Sequence, residues 1–131
     1  MITAKDIMTH EVVTISPQAT IHDATETLLN RSVSGLPVVD HKGVIVGILT
    51  EFALLATAYD QTINNDTVAD HMTCDVMSVD VNDPINKVAD LFIVHRVRRV
   101  PVVENGRLAG LVARRDVLKA LHESSAPYAV C

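Results

Sequence analysis

Seven basic side chains fall within residues 96–119: Arg96, Arg98, Arg99, Arg107, Arg114, Arg115 and Lys119. Only Glu104 and Asp116 oppose them, a local balance of +5 in a chain whose formal charge is −5. Residues 1–61 carry three basic and seven acidic side chains. Positive charge gathered into one short segment of an acidic protein is suited to binding an anion, or to a solvated or dimer-forming face paired with acids. Arg98 and Arg99 lead into an apolar run, and Arg114 and Arg115 open an amphipathic one, where the free N–H groups of a helix start would add to the attraction for phosphate. Each charge-assisted hydrogen bond contributes about 1.5–3 kcal/mol. Two or three of them are a large part of the roughly 8 kcal/mol that micromolar binding requires. Asp116, in their midst, can accept from both hydroxyls of a sugar or cap the helix that begins there.

Other chemistry finds little support. No two of the six histidines stand at i, i+3 or i, i+4 spacing, so no helical metal motif is expected. His71-x-x-Cys74 is the one suggestive pair, and a zinc site would need further ligands. No glycine-rich phosphate cradle of the dinucleotide or P-loop kind is present, and no catalytic residue is assigned. Aromatics make up 3% of the chain, with no Trp, which argues against a nucleic-acid surface built on base stacking. No apolar run reaches the length of a membrane span, and the start MITAKDIMTHEVV lacks the pattern of a secretion signal. Two cysteines, Cys74 and Cys131, are too few for a disulfide framework, and the expected home is a reducing cytoplasm.

The elements that must position the charged segment occur twice. Shifted by 64, Asp6, Met8, Thr9, Val12, Ile21, Val33, Pro37, Val38 and Val39 meet identical residues at 70, 72, 73, 76, 85, 97, 101, 102 and 103. After a one-residue deletion at the turn, Gly43, Gly47 and Leu55 meet Gly106, Gly110 and Leu118. Each copy reads as strand, helix, strand, strand, helix. In the first, Val12–Ile15 is a short strand, and Thr20 with Asp23 forms a capping box. Ile21, Ala24 and Leu28 then share one helical face, as do Ile85, Val88 and Phe92 in the second copy. Asp83-Pro84 reads as a cap followed by proline at the first helical position. The runs Leu36–Val39 and Val44–Thr50, and Val100–Val103 and Arg107–Ala113, are nearly continuous in apolar residues, as expected of strands covered on both faces. Asn105-Gly106 signals a hairpin. Helices are expected near Glu51–Tyr59 and Arg114–Glu123, a polar linker over Asp60–Thr67, and a fraying tail from Ser124 to Cys131. The expected fold is mixed α/β (α+β). Repeats over 1–61 and 62–123 would pack sheet to sheet about a pseudo-twofold axis, leaving two equivalent clefts, because neither repeat is large enough to bury a good core alone.

DIMTHEVVTISPQATI with SGLPVVDHKGVIVGILTEFALL, and VADHMTCDVMSVDVNDPI with RRVPVVENGRLAGLVARRDVL, resemble two CBS (cystathionine β-synthase) domains. The resemblance spans about residues 4–122 and implies a tandem pair, a Bateman module. Such a module regulates partner proteins, is not itself an enzyme, commonly binds an adenosine-containing ligand between its repeats, and often forms a homodimer. The family's Gly-h-h-Thr/Ser-x-x-Asp ending implies ribose binding by the Asp and help with phosphate from the hydroxyl. Repeat 1, Gly47-Ile48-Leu49-Thr50-Glu51-Phe52-Ala53, keeps only the Thr, and repeat 2, Gly110-Leu111-Val112-Ala113-Arg114-Arg115-Asp116, keeps only the Asp. The better site is therefore expected at Asp116, with Arg98, Arg99, Ala113 and Arg115 on its polar side. Val12, Val13, Val33, Ser34, Gly35, Leu36 and Pro37 would surround the base. Thr50, Val76, Met77, Val97, Val100 and Pro101 would line a weaker second cleft, and Thr50 reads equally well as a helix cap. AMP, ADP and ATP are the expected ligands, with NAD and S-adenosylmethionine also carrying the required adenosine. No metal or resident cofactor is expected. The alternative is a protein-interaction module without a ligand, its regulated partner unknown.

Overall fold

A computed structural model describes residues 1–125 of the chain. Mixed helices and strands succeed one another in two similar series. The first is α1 (Ala4–Ile7), α2 (Ile21–Arg31), β1 (Gly35–Val39), β2 (Ile45–Thr50) and α3 (Glu51–Ala58). A 3-10 turn at Gln61–Asn65 follows. The second is α4 (Val68–His71), β3 (Val79–Asp80), α5 (Ile85–His95), β4 (Arg99–Glu104), β5 (Arg107–Ala113) and α6 (Arg114–Ser125). β1 and β2 form an antiparallel pair, and a second sheet runs β3-β4-β5.

The chain packs as two units that exchange their first segments. One unit holds residues 1–12, 77–105 and, of the described residues, 109–125, and the other holds residues 13–76 and 106–108. Each unit has its own apolar core. In the first, Ala4 joins Val79, Val88, Phe92, Val100, Val102 and Val112. In the second, Val68 joins Ile21, Ala24, Leu28, Leu36, Val38 and Leu49. A short helix thus completes the core of the repeat it does not belong to. The hydrogen bonds that dock α1 and α4 match one for one. Ala4 N–H donates to Asp83 O, and Ile85 N–H donates to Ile2 O. Likewise Val68 N–H donates to Ala19 O, and Ile21 N–H donates to Asp66 O.

Local chemistry explains most boundaries. Thr20 Oγ1 accepts from Asp23 N–H and Asp23 Oδ2 accepts from Thr20 N–H, so the capping box opens α2. α2 and α5 each end on a left-handed residue at the same repeat position, Ser32 at φ 54° and Arg96 at φ 53°. Asn105 and Gly106, at φ 53° and 80°, make the tight turn of the second hairpin.

Several expectations are corrected. Val12–Ile15 is not a strand: only Ile15 pairs, in a single parallel bridge to Val38. Val12 and Val13, where the chain passes between units, are in no strand or bridge. Asp83 does not cap α5. Pro84 holds that place and the Ile85 N–H is taken by Ile2 O, so Asp83 instead accepts from Asp80 N–H and pairs with Lys87 at 3.2 Å. β1 and β4 are buried at three successive positions, but β2 and β5 alternate, being covered on one face. The linker is partly ordered, its 3-10 turn capped by Asp60. α6 continues through Ser125, and the rest of the expected tail lies outside the described residues.

Candidate functional site

In the unit that contains repeat 2's sheet, one backbone hydrogen bond makes a corner. Arg114 N–H donates to Arg98 O at 3.2 Å. It ties the entry to β4 to the start of α6, and so gathers Arg98, Arg99, Arg114 and Arg115, all exposed. Asp116 is half-buried beside them, and its Oδ2 accepts from Ala113 N–H at 2.8 Å. The cap reading of Asp116 is thus realised through one oxygen. Val97 is half-buried, and Val100 and Pro101 are buried. Val12 lies three residues after Thr9, which pairs with Leu111 of β5.

The other unit builds the same corner from different residues. Glu51 N–H donates to Ser34 O at 3.0 Å, joining the entry to β1 to the start of α3. Thr50 Oγ1 accepts from Ala53 N–H at 3.1 Å and caps α3. The two departures from Thr-x-x-Asp are therefore complementary halves of one capping box, Thr50 in the first repeat and Asp116 in the second. By repeat position, Ser34, Gly35, Glu51, Phe52 and Ala53 stand where Arg98, Arg99, Arg114, Arg115 and Asp116 stand. One corner carries four guanidinium groups and a carboxylate, and its counterpart carries one carboxylate and no cation.

The predicted site residues divide between the units. Val12, Met77, Val97–Arg99, Val100, Pro101, Ala113, Arg115 and Asp116 belong to the first, and Val13, Val33–Pro37, Thr50 and Val76 belong to the second. Sequence spacing missed the role of Arg114, whose backbone makes the corner. Its counterpart Glu51 was the available signal, since both directly follow the last strand of their repeat. Hydrogen bonds hold the carboxyls of Asp6, Asp40 and Asp60 below their ordinary range. Thr3 holds Asp6 down through its backbone N–H first and its hydroxyl second. The N–H of Val44, ahead of that of Lys42, lowers Asp40. The hydroxyl and N–H of Thr62 lower Asp60. Among the described residues no cluster of three or more His, Cys, Asp or Glu could hold a metal. His71 faces Asp66, at 2.9 Å, while Cys74 is exposed. No helix among the described residues is long and apolar enough to cross a membrane.

The CBS domain profile matches twice, over residues 4–59 and 68–123. The chain belongs to the CBS domain family. The CBS domain-containing protein YhcV of Bacillus subtilis is 34% identical over 119 residues, which cover 89% of this chain and 84% of YhcV. Other relatives are longer: the chain spans 42% of protein MJ1225 and 23% of an inosine-5'-monophosphate dehydrogenase, both of Methanocaldococcus jannaschii. Among solved structures, CBSX2 in complex with AMP superposes with a TM-score of 0.84 at 28% identity, covering 95% of this chain and 99% of that one. The CBS domain pair of protein MJ0100, in complex with 5'-methylthioadenosine and S-adenosyl-L-methionine, superposes at 0.78 with 26% identity, covering 95% and 98%. Tandem CBS repeats therefore account for both series of elements.

Proposed function

We propose that this CBS pair is a regulatory sensor of adenosine nucleotides, with AMP, ADP or ATP bound at the Asp116 corner. The observation that carries this reading is the Arg114–Arg98 backbone hydrogen bond, which joins the Arg98-Arg99 and Arg114-Arg115 segments at the helix start that Asp116 caps. Asp116 Oδ1 would accept from the ribose hydroxyls, and the guanidinium groups would take the phosphate. AMP on CBSX2 supports the choice of ligand, and the positive corner favours a phosphorylated adenosine over S-adenosylmethionine. No chemical step is assigned to the chain. Binding would act by favouring one packing of the protein over another, to the extent that the ligand's affinity for the two differs.

Calorimetric titration of AMP and ATP into the wild type, Asp116→Asn and Asp116→Ala tests this. Asn keeps an acceptor for Ala113 N–H while losing the charge. Both variants should bind at least tenfold more weakly, a loss of about 1.4 kcal/mol or more, in line with a charge-assisted hydrogen bond. Equal affinity in all three proteins overturns the site.

A second reading, an interaction module without a ligand, is favoured by one surface. Phe52, Leu55 and Tyr59 lie along α3 and just past its end, and are 80%, 61% and 92% exposed. A flat titration with both nucleotides, together with a sedimentation mass above that of one chain, would favour it.

A further inference from the structure

Apart from the brief excursion at 106–108, the chain passes from one unit to the other at Val12–Val13 and at Val76–Met77. All four residues belong to the two clefts expected from the sequence. Just before each crossing, a short strap is docked on a strand. Thr9 and Leu111 exchange two backbone hydrogen bonds, of 2.8 and 3.0 Å, and Thr73 and Ile48 exchange two of 2.9 Å. The residue before each strand partner is a glycine. A Cβ on Gly110 would lie 2.5 Å from Met8 Sδ and 2.8 Å from Thr9 O, and one on Gly47 would lie 2.6 Å from Met72 Sδ and 3.0 Å from Thr73 O. Only Gly43 and Gly106 among the glycines have positive φ. Backbone conformation therefore does not require glycine at 47 or 110, but the space taken by the strap does.

We infer that Met8 and Met72 are positioning residues. Each seats its strap on a glycine, Met8 on Gly110 and Met72 on Gly47, and so fixes the crossing residues that follow four positions later. The arrangement explains two of the repeat identities, Met8 with Met72 and Gly47 with Gly110, as two contacting pairs, each joining a strap from one repeat to a strand of the other. The link to ligand binding rests on the nucleotide reading above, whereas the seat itself does not. A thioether suits this role because it is unbranched, adaptable and polarisable.

The test is a pair of double-mutant cycles, Gly47→Ala with Met72→Ala and Gly110→Ala with Met8→Ala. Amide hydrogen exchange at the paired strap and strand residues is read for both cycles, and AMP titration for the second. Gly47→Ala should speed exchange at Ile48 and Thr73 by tenfold or more while leaving the core of that unit protected. Adding Met72→Ala should restore most of the protection, because the remaining approach to Thr73 O is 3.0 Å. Rescue should be smaller at Gly110, where Thr9 O stands at 2.8 Å. In the same order, Gly110→Ala should weaken AMP binding about tenfold and Met8→Ala should recover part of it, one decade being 1.4 kcal/mol.

Double mutants no better protected than the glycine singles would overturn the seat. Unchanged AMP affinity in Gly110→Ala would overturn its link to the site. If Gly47→Ala and Gly110→Ala do not fold, Met72→Ala and Met8→Ala alone decide. Each empties the seat without crowding it, and exchange at the paired amides no faster than in the wild type overturns the proposal. A wild type that binds neither AMP nor ATP overturns the nucleotide reading, while the exchange cycles still decide the seat.

Discussion

Single residues carry the asymmetry between the two repeats. Ala113 occupies the place of a hydroxyl cap, and Asp116 supplies only the return half of the capping box. Ala113→Thr should complete it. The expected gain is about 0.5–1 kcal/mol, read as a higher urea midpoint at unchanged slope. Asp6 makes a second residue-scale case. Its Oδ2 accepts from Thr3 N–H at 2.8 Å and from Thr3 Oγ1 at 3.1 Å, and these bonds lower its pKa in the folded protein. A carboxyl depressed in this way stabilises the fold above the ordinary Asp value of about 3.9. That contribution is lost as pH falls through the lower folded value. Asp6→Asn should therefore unfold at a lower urea concentration than the wild type at pH 7, and the gap should close on acidification. A gap that persists at the lowest pH would assign the effect to something other than Asp6 ionisation.

Among elements, the helices were the most legible. The faces Ile21-Ala24-Leu28 and Val88-Phe92 are buried as their 3.6-residue spacing predicts. Their C-terminal ends were not read, because a left-handed cap on Ser32 or Arg96 lacks the glycine that announces one. Ser32 N–H donates to Leu28 O and Leu29 O from that conformation. Ser32→Gly should relieve the cost of a β-carbon at positive φ and stabilise the protein by up to about 1 kcal/mol, measured by thermal or urea unfolding. The short helices α1 and α4 escaped the sequence reading altogether. Four residues are too few to show a period, and their stability comes from tertiary bonds such as Val68 N–H to Ala19 O. Val12–Ile15 failed for the converse reason: β-branched residues favour an extended chain, but a strand also needs a neighbour to pair with.

On the scale of the whole molecule, charge separates two corners that the backbone makes alike. The Asp116 corner carries Arg98, Arg99, Arg114 and Arg115, and its counterpart carries Ser34, Gly35, Glu51 and Phe52. One AMP per chain is therefore the expected stoichiometry. Raising NaCl from about 0.05 to 0.5 M should weaken binding several-fold, as screening of exposed charges shortens to a few ångström. Two equivalent sites, or binding indifferent to salt, would contradict a phosphate held by that corner.

The sequence by itself determined the tandem repeat, the CBS family, the helix faces, the hairpin turn at Asn105-Gly106 and the concentration of positive charge in residues 96–119. These follow from local periodicity, composition and restricted backbone positions, all of which act within a few residues of one another. Only the tertiary structure decided that Ala4 and Val68 complete each other's repeat, that Arg114 meets Arg98, and that Gly47 and Gly110 make room for methionines. Those contacts join residues from roughly 16 to more than 100 positions apart. No local propensity encodes such pairings, because they form only when separate apolar faces are buried together and the backbone groups between them must find partners.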